Sequence, residues 1–178
     1  CLIVVDDDMS YEPFLVERLY GAQVSRRDAS FSFFVEQIGR LRCGQGADGF
    51  SFWTPNLAGI EAFAAVALRS PHLFVADDLW ISLFLQNQRV PILSLQHTLQ
   101  DGQLVWKRAH SENQLSQLVG DLGQPTVFRK GTRFLFRTEV VGWRLRFLYG
   151  LTLAEGALGR LRRWVGSGAP GRRRVSRS

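Results

Sequence analysis

The chain has 178 residues, 46% of them hydrophobic and 21% charged, the balance of one ordinary globule with a core of its own. Two cysteines, Cys1 and Cys43, are too few for a four-thiolate zinc site or a disulfide framework, and no apolar run nears the roughly eighteen residues of a membrane span. The net charge of +6 is uneven: residues 1–122 carry 9 Lys/Arg against 14 Asp/Glu, a net of −5, and residues 123–178 carry 13 against 2, a net of +11.

In chain order, Leu2-Ile3-Val4-Val5 comes first. So short a β-branched run reads as a strand buried on both faces of a parallel sheet. Asp6, Asp7 and Asp8 then leave its carboxyl end, where open α/β sheets place their ligand crevices. Like charges this close raise one another's pKa unless a cation sits between them, and a divalent metal is the simplest resolution. A solvated turn or helix cap is the plainer alternative. The chain starts at Cys1 inside this run with no secretory signal in view, so an upstream part of the same fold is expected.

Tyr11 to Tyr20 reads as a helix, with Pro13 in its first turn and Gly21 at its end. Phe31 to Val35 is expected as a strand, and Gly39 to Gly49, with Gly44, Gly46 and Gly49, as a loop. That loop reads either as backbone lying against a ligand or as a flexible connector, since its spacing matches no phosphate-loop pattern. Phe50 to Trp53 is a short strand, and Asn56 caps a helix to about Arg69 that Pro71 breaks. Asp77 and Asp78 open a helix running through Gln88, a place where the macrodipole alone favours acids. Pro91 to Gln96 reads as a strand, and Leu99 to Leu104 as a hairpin about Asp101-Gly102. Ser111 with Gln114 forms a capping box for a helix to about Leu118, before a break from Gly120 to Pro125.

From Val127 the sequence mixes Phe134, Phe136, Trp143 and Phe147 with Arg133, Arg137, Arg144 and Arg146. This reads equally as an interfacial segment for an anionic membrane and as a helix packed on the domain with solvated arginines. The division expected is 1–122 for the main domain, 123–165 for the basic amphipathic segment and 166–178 for a disordered tail.

Two acidic sites stand out, Asp6 to Asp8 after a strand and Asp77-Asp78 at a helix start. One carboxylate cluster to hold a metal and another to take a proton are what a metal-assisted transfer needs. The stretch Leu2-Ile3-Val4-Val5-Asp6-Asp7-Asp8, followed by Ala76-Asp77-Asp78-Leu79-Trp80-Ile81-Ser82, resembles the carboxyl-terminal half of a GT-A glycosyltransferase similar to family-2 enzymes. The likeness covers residues 1 to roughly 120.

That resemblance implies an α/β fold with a GT-A-like mixed sheet flanked by helices, incomplete at its amino-terminal nucleotide-binding half and followed by a basic helical tail. It implies Mn2+ or Mg2+ held by Asp6 and Asp8, a nucleotide-sugar diphosphate bound at Asp6, Asp7 and Asp8, and catalysis by Asp78 as base with Asp77 beside it, where Glu is more usual. His97, His110 and Trp80 are further candidates for metal or substrate. The implied partners are a nucleotide-sugar donor and a glycan or lipid-linked acceptor, in the cytoplasm with peripheral membrane contact through the tail, and no nucleic acid. The Gln-x-x-Arg-Trp signature of processive synthases is missing, and without an amino-terminal half the chain alone is expected to be inactive. Two rivals remain: a nucleic-acid-binding protein working through the arginine-rich tail, and an inactive GT-A-like interaction module.

Overall fold

The computed structural model describes residues 1–7, 9–74, 76–108 and 124–166. In chain order these form β1 (Leu2–Val4), β2 (Met9–Tyr11), α1 (Phe14–Ser25), β3 (Ser30–Ser32), β4 (Val35–Ile38), β5 (Leu41–Gly44) and β6 (Phe50–Phe52). There follow α2 (Ile60–Ala67), α3 (Pro71–Phe74), α4 (Asp77–Asn87), β7 (Ile92–Ser94), β8 (Trp106–Arg108), α5 (Gln124–Leu135) and α6 (Trp143–Gly166). The chain is thus mixed α/β. The helix expected from Ser111 to Leu118 and the tail beyond Gly166 lie outside the described residues.

One four-stranded mixed sheet, in the order β1-β6-β3-β7, carries the architecture. β6 runs antiparallel to both β1 and β3, and β3 runs parallel to β7 with Phe31 opposite Leu93. The opening run is therefore not a strand buried on both faces. It is the outer strand, antiparallel, with Leu2 45% exposed. Three apolar residues cannot distinguish an edge from a centre, because both positions ask for the same β-branched side chains.

Helix α1 runs past Gly21 to Ser25 because Leu15, Leu19 and Gln23 recur every fourth residue and bury against the sheet. Gln23 is paired on both ends of its amide: its Nε2 donates to the Ala29 carbonyl at 2.9 Å, and its Oε1 accepts from the Ser51 hydroxyl at 3.1 Å. The expected Phe31–Val35 strand is split into β3 and β4, with Phe33 fully buried between them. The expected glycine loop is instead a hairpin, β4 against β5 about Gly39 at φ +62°, followed by a turn from Gln45 to Gly49.

Asn56 does not cap a helix. Its amide donates to the Arg27 carbonyl at 2.8 Å, and α2 starts only after Gly59 at φ +82°. Pro71 opens α3 rather than merely ending α2, as its fixed φ suits a first helical turn. Asp101-Gly102 does turn, with Gly102 at φ +75°, yet no hairpin results: β7 pairs with β3, and β8 with β2.

Two apolar clusters form the core. Leu15, Leu19, Phe31, Phe33 and Val105 make one, and α4 supplies Leu79, Leu83, Phe84 and Leu85 to the other. The second cluster also contains Val127, Leu135, Phe136, Val141 and Leu145, so the basic segment is built into the same core. Helix α5 lies so close to α3 that a Cβ on Gly131 would meet Leu73 Cδ2 at 2.6 Å. Helix α6 is clasped to the β4–β5 turn, where the Arg40 amide donates to Thr152 Oγ1 at 3.0 Å and the Arg40 guanidinium pairs with Glu155. Its Trp143 and Phe147 stay exposed, Trp143 at 78%.

Candidate functional site

The opening aspartates leave the carboxyl end of β1, and β2 returns beside them. The Tyr11 hydroxyl accepts from the Asp6 amide at 2.8 Å and donates to the Asp6 carbonyl at 3.2 Å, which fixes the backbone at that acid. Asp7 is exposed in the same turn, and Asp8 lies outside the described residues.

Helix α4 supplies the second acidic pair. Asp77 is exposed, and its Oδ1 accepts the Asp78 amide at 3.0 Å, a bond that meets one of the unpaired donors of the helix start. Asp78 is half-buried, and both its carboxylate oxygens share the Gly46 amide, each at 2.9 Å. A Cβ built on Gly46 would lie 2.9 Å from Asp6 Oδ1 and 3.1 Å from Asp78 Oδ1. The two carboxylates therefore flank one glycine, closer to each other than the sum of those distances. Any side chain at residue 46 would push against both.

Electrostatics follow from this crowding. Burial pushes the Asp78 carboxyl up to about 7; the Gly46 amide opposes that rise, and the charges of Asp77, Asp6 and Asp48 add to it. Asp78 is thus not the exposed, fully ionised acid that its position in the sequence suggests. It titrates near neutrality, where a general base works best. Below it, Cys43 is buried and its thiol is pushed up to about 12, first by desolvation and then by the Asp78 charge. Ser82, one turn along α4, accepts the Gly44 amide at 3.0 Å and ties the β5 end to the helix.

Asp48 joins this group and was not singled out from the sequence. It sits in the Gln45–Gly49 turn only 6% exposed, its Oδ1 accepting the Trp106 indole N–H at 2.7 Å. Burial raises its pKa and the indole hydrogen bond offsets part of the rise. Gly46 stands in the expected glycine loop, but the sequence does not link it to either acid. An acid set among three glycines within six residues, Gly44 to Gly49, was the available signal, because such a turn brings a carboxylate close to backbone.

The remaining sequence candidates fall elsewhere. Trp80 is 9% exposed and belongs to the core, its indole nitrogen buried without a hydrogen-bond partner, so it offers no open face for a sugar ring. His97 is exposed on the short turn Gln96–Thr98, and His110 lies outside the described residues. Among the described residues no three His, Cys, Asp or Glu side chains converge as a metal-ligand set. The acids that do meet, Asp6 and Asp78, offer only hard oxygen donors, the kind Mg2+ and Mn2+ accept.

Among the described residues no helix is long and apolar enough to cross a membrane. No protein-family model, no curated protein and no solved structure matches this chain.

Proposed function

We propose that the chain carries the metal-binding and base residues of a metal-dependent glycosyltransferase that moves a sugar from a nucleotide-sugar donor to an acceptor hydroxyl. One observation carries the reading: Asp6 and Asp78, 72 positions apart in sequence, both lie within about 3 Å of where a Cβ on Gly46 would stand. A capping acid and a solvated turn acid have no reason to meet. Two carboxylates that share a site repel one another, and a cation held by Asp6 would relieve that repulsion.

Asp6, together with Asp8, would hold the ion, and a bound divalent cation would supply charge neutralisation for a departing nucleoside diphosphate. Asp78 removes the proton from the acceptor hydroxyl as oxygen attacks the sugar carbon, so the reaction needs it ionised. The Gly46 amide fixes the plane of that carboxylate and keeps its outer lone pairs available. Asp77 holds the first turn of α4 and, by its charge, helps keep Asp78 near neutrality.

Calorimetric titration of UDP and GDP, with and without Mn2+, tests the assignment. Measured on a chain that carries the upstream nucleotide-binding half the resemblance implies, manganese-dependent binding should disappear in Asp6→Ala and persist in Asp78→Asn, which should lose transfer only. Equal nucleotide affinity with and without manganese, or an unchanged Asp6→Ala, would overturn it.

A further inference from the structure

A cavity of about 410 Å³ is lined by Phe34, Asp48, Gln103, Leu104, Trp106 and Lys107, together with Val105. Its size falls in the range of about 300–1,000 Å³ in which proteins hold small ligands. The lining is mostly apolar and aromatic, with three polar side chains. One of those, Asp48, is a nearly buried carboxylate whose hydrogen-bond donor among the described residues is a single indole N–H. A buried carboxylate accepts several donors when they are offered, and leaving it under-partnered is costly.

The Gln45–Gly49 turn links this cavity to the base. It is closed by the Asp48 amide on the Gln45 carbonyl at 3.2 Å and the Gly49 amide on the Gly46 carbonyl at 2.8 Å. Gly46 holds Asp78, and Asp48, two residues on, lines the cavity. Two peptide units span no more than about 7 Å. The Asp48 Cα therefore lies within about 7 Å of the Gly46 Cα, whose amide Asp78 accepts, and the Asp48 charge is felt at Asp78, although Asp78 itself does not line the cavity.

We propose that this cavity binds the acceptor as a neutral, hydroxyl-bearing saccharide, with Asp48 accepting hydrogen bonds from its hydroxyls and the Trp106 and Phe34 rings covering its C–H face. The inference rests on the reading of Asp78 as base. An anionic ligand is disfavoured by Asp48 itself and by the neighbouring acids. A bare cation is disfavoured by the apolar walls and by Lys107. A sugar ring suits both surfaces, since its hydroxyl edge donates hydrogen bonds and its carbon face is apolar.

The test uses the full chain and three probes, the methyl β-glycosides of glucose, galactose and N-acetylglucosamine, followed by saturation-transfer NMR at millimolar concentration. At least one should bind the unmodified protein. Leu104→Trp, which fills the cavity from an exposed position, should abolish that binding. Asp48→Asn, which keeps an oxygen for Trp106, should weaken it about tenfold. Manganese-dependent UDP titration on the same samples separates the two readings. Glycoside binding that Leu104→Trp removes, without any nucleotide binding even when the upstream nucleotide-binding half is supplied, upholds the cavity and sinks sugar transfer. Nucleotide binding with no glycoside signal, or with one that Leu104→Trp leaves intact, overturns the cavity proposal.

Discussion

Replacing Asp78 with Asn should make the protein more stable, and by an amount that depends on pH. A carboxyl raised from its ordinary value of 3.8 to about 7 prefers its neutral form in the folded state by about 4 kcal/mol. The unfolded chain gives up that proton near pH 4, and the folded chain holds it until about pH 7. Between those values folding takes up a proton, so the stability tied to Asp78 is intact below pH 4, falls as pH rises and is fully lost above pH 7. Asn is neutral throughout and still accepts the Gly46 amide. Asp78→Asn should therefore match the unmodified protein near pH 4 and exceed it by up to about 4 kcal/mol at pH 8. For a chain of this size that is a rise in Tm on the order of 10 °C. Thermal unfolding followed by circular dichroism at half-unit steps from pH 4 to 8.5 reads it directly. A difference in Tm that is constant across that range, or a variant less stable at pH 8, would refute the argument that burial of a charge dominates at Asp78. If Asp78 is the proposed base, the same variant should lose transfer while it gains stability, the trade expected where a working group is held in a costly environment.

Gly46→Ala places a methyl 2.9 Å from Asp6 Oδ1 and 3.1 Å from Asp78 Oδ1, which forces the carboxylates apart and should cost about 1–3 kcal/mol along with manganese-dependent nucleotide binding. Wild-type melting and titration curves for this variant would contradict the described geometry. At pH 8 the Cys43 thiol, pushed up to about 12, is almost entirely protonated and buried, whereas Cys1 is exposed. Ellman's reagent should thus modify one thiol in the native protein and two in guanidinium. Two fast thiols in the native state would show that β5 is not packed as described.

What the sequence conveyed best was element type where apolar periodicity ran long, as in the helix opened by Asp77. It failed where a short run had two physical solutions. Leu2 to Val5 has the composition of a central strand and occupies an edge, because hydropathy reports burial on one face as readily as on two. Gly21 stops helices in isolation, yet α1 continues through it, and its next turn buries Gln23 with hydrogen bonds to Ala29 and Ser51. At the site, Asp6 and Asp78 could be named from their flanking strand and helix. The partner that brings them together could not be, because a backbone amide at Gly46 leaves no mark in side-chain chemistry. Asp48 was hidden for a similar reason: its partner Trp106 lies 58 residues away.

Among the described strands β1 lies at the end of its sheet, and this bears on the acids that follow it. A strand at the end of a sheet presents ladder groups to any other extended chain, and apolar edges of this kind are where proteins aggregate. Here the edge is only three residues long, and Asp6 and Asp7 follow one residue later, after Val5. Negative charge at the end of so short a strand repels a second copy approaching in register, the task that gatekeeper residues perform beside apolar strands. Asp6 and Asp7 thus lower the tendency of this edge to pair with a second copy, and neutralising them raises it.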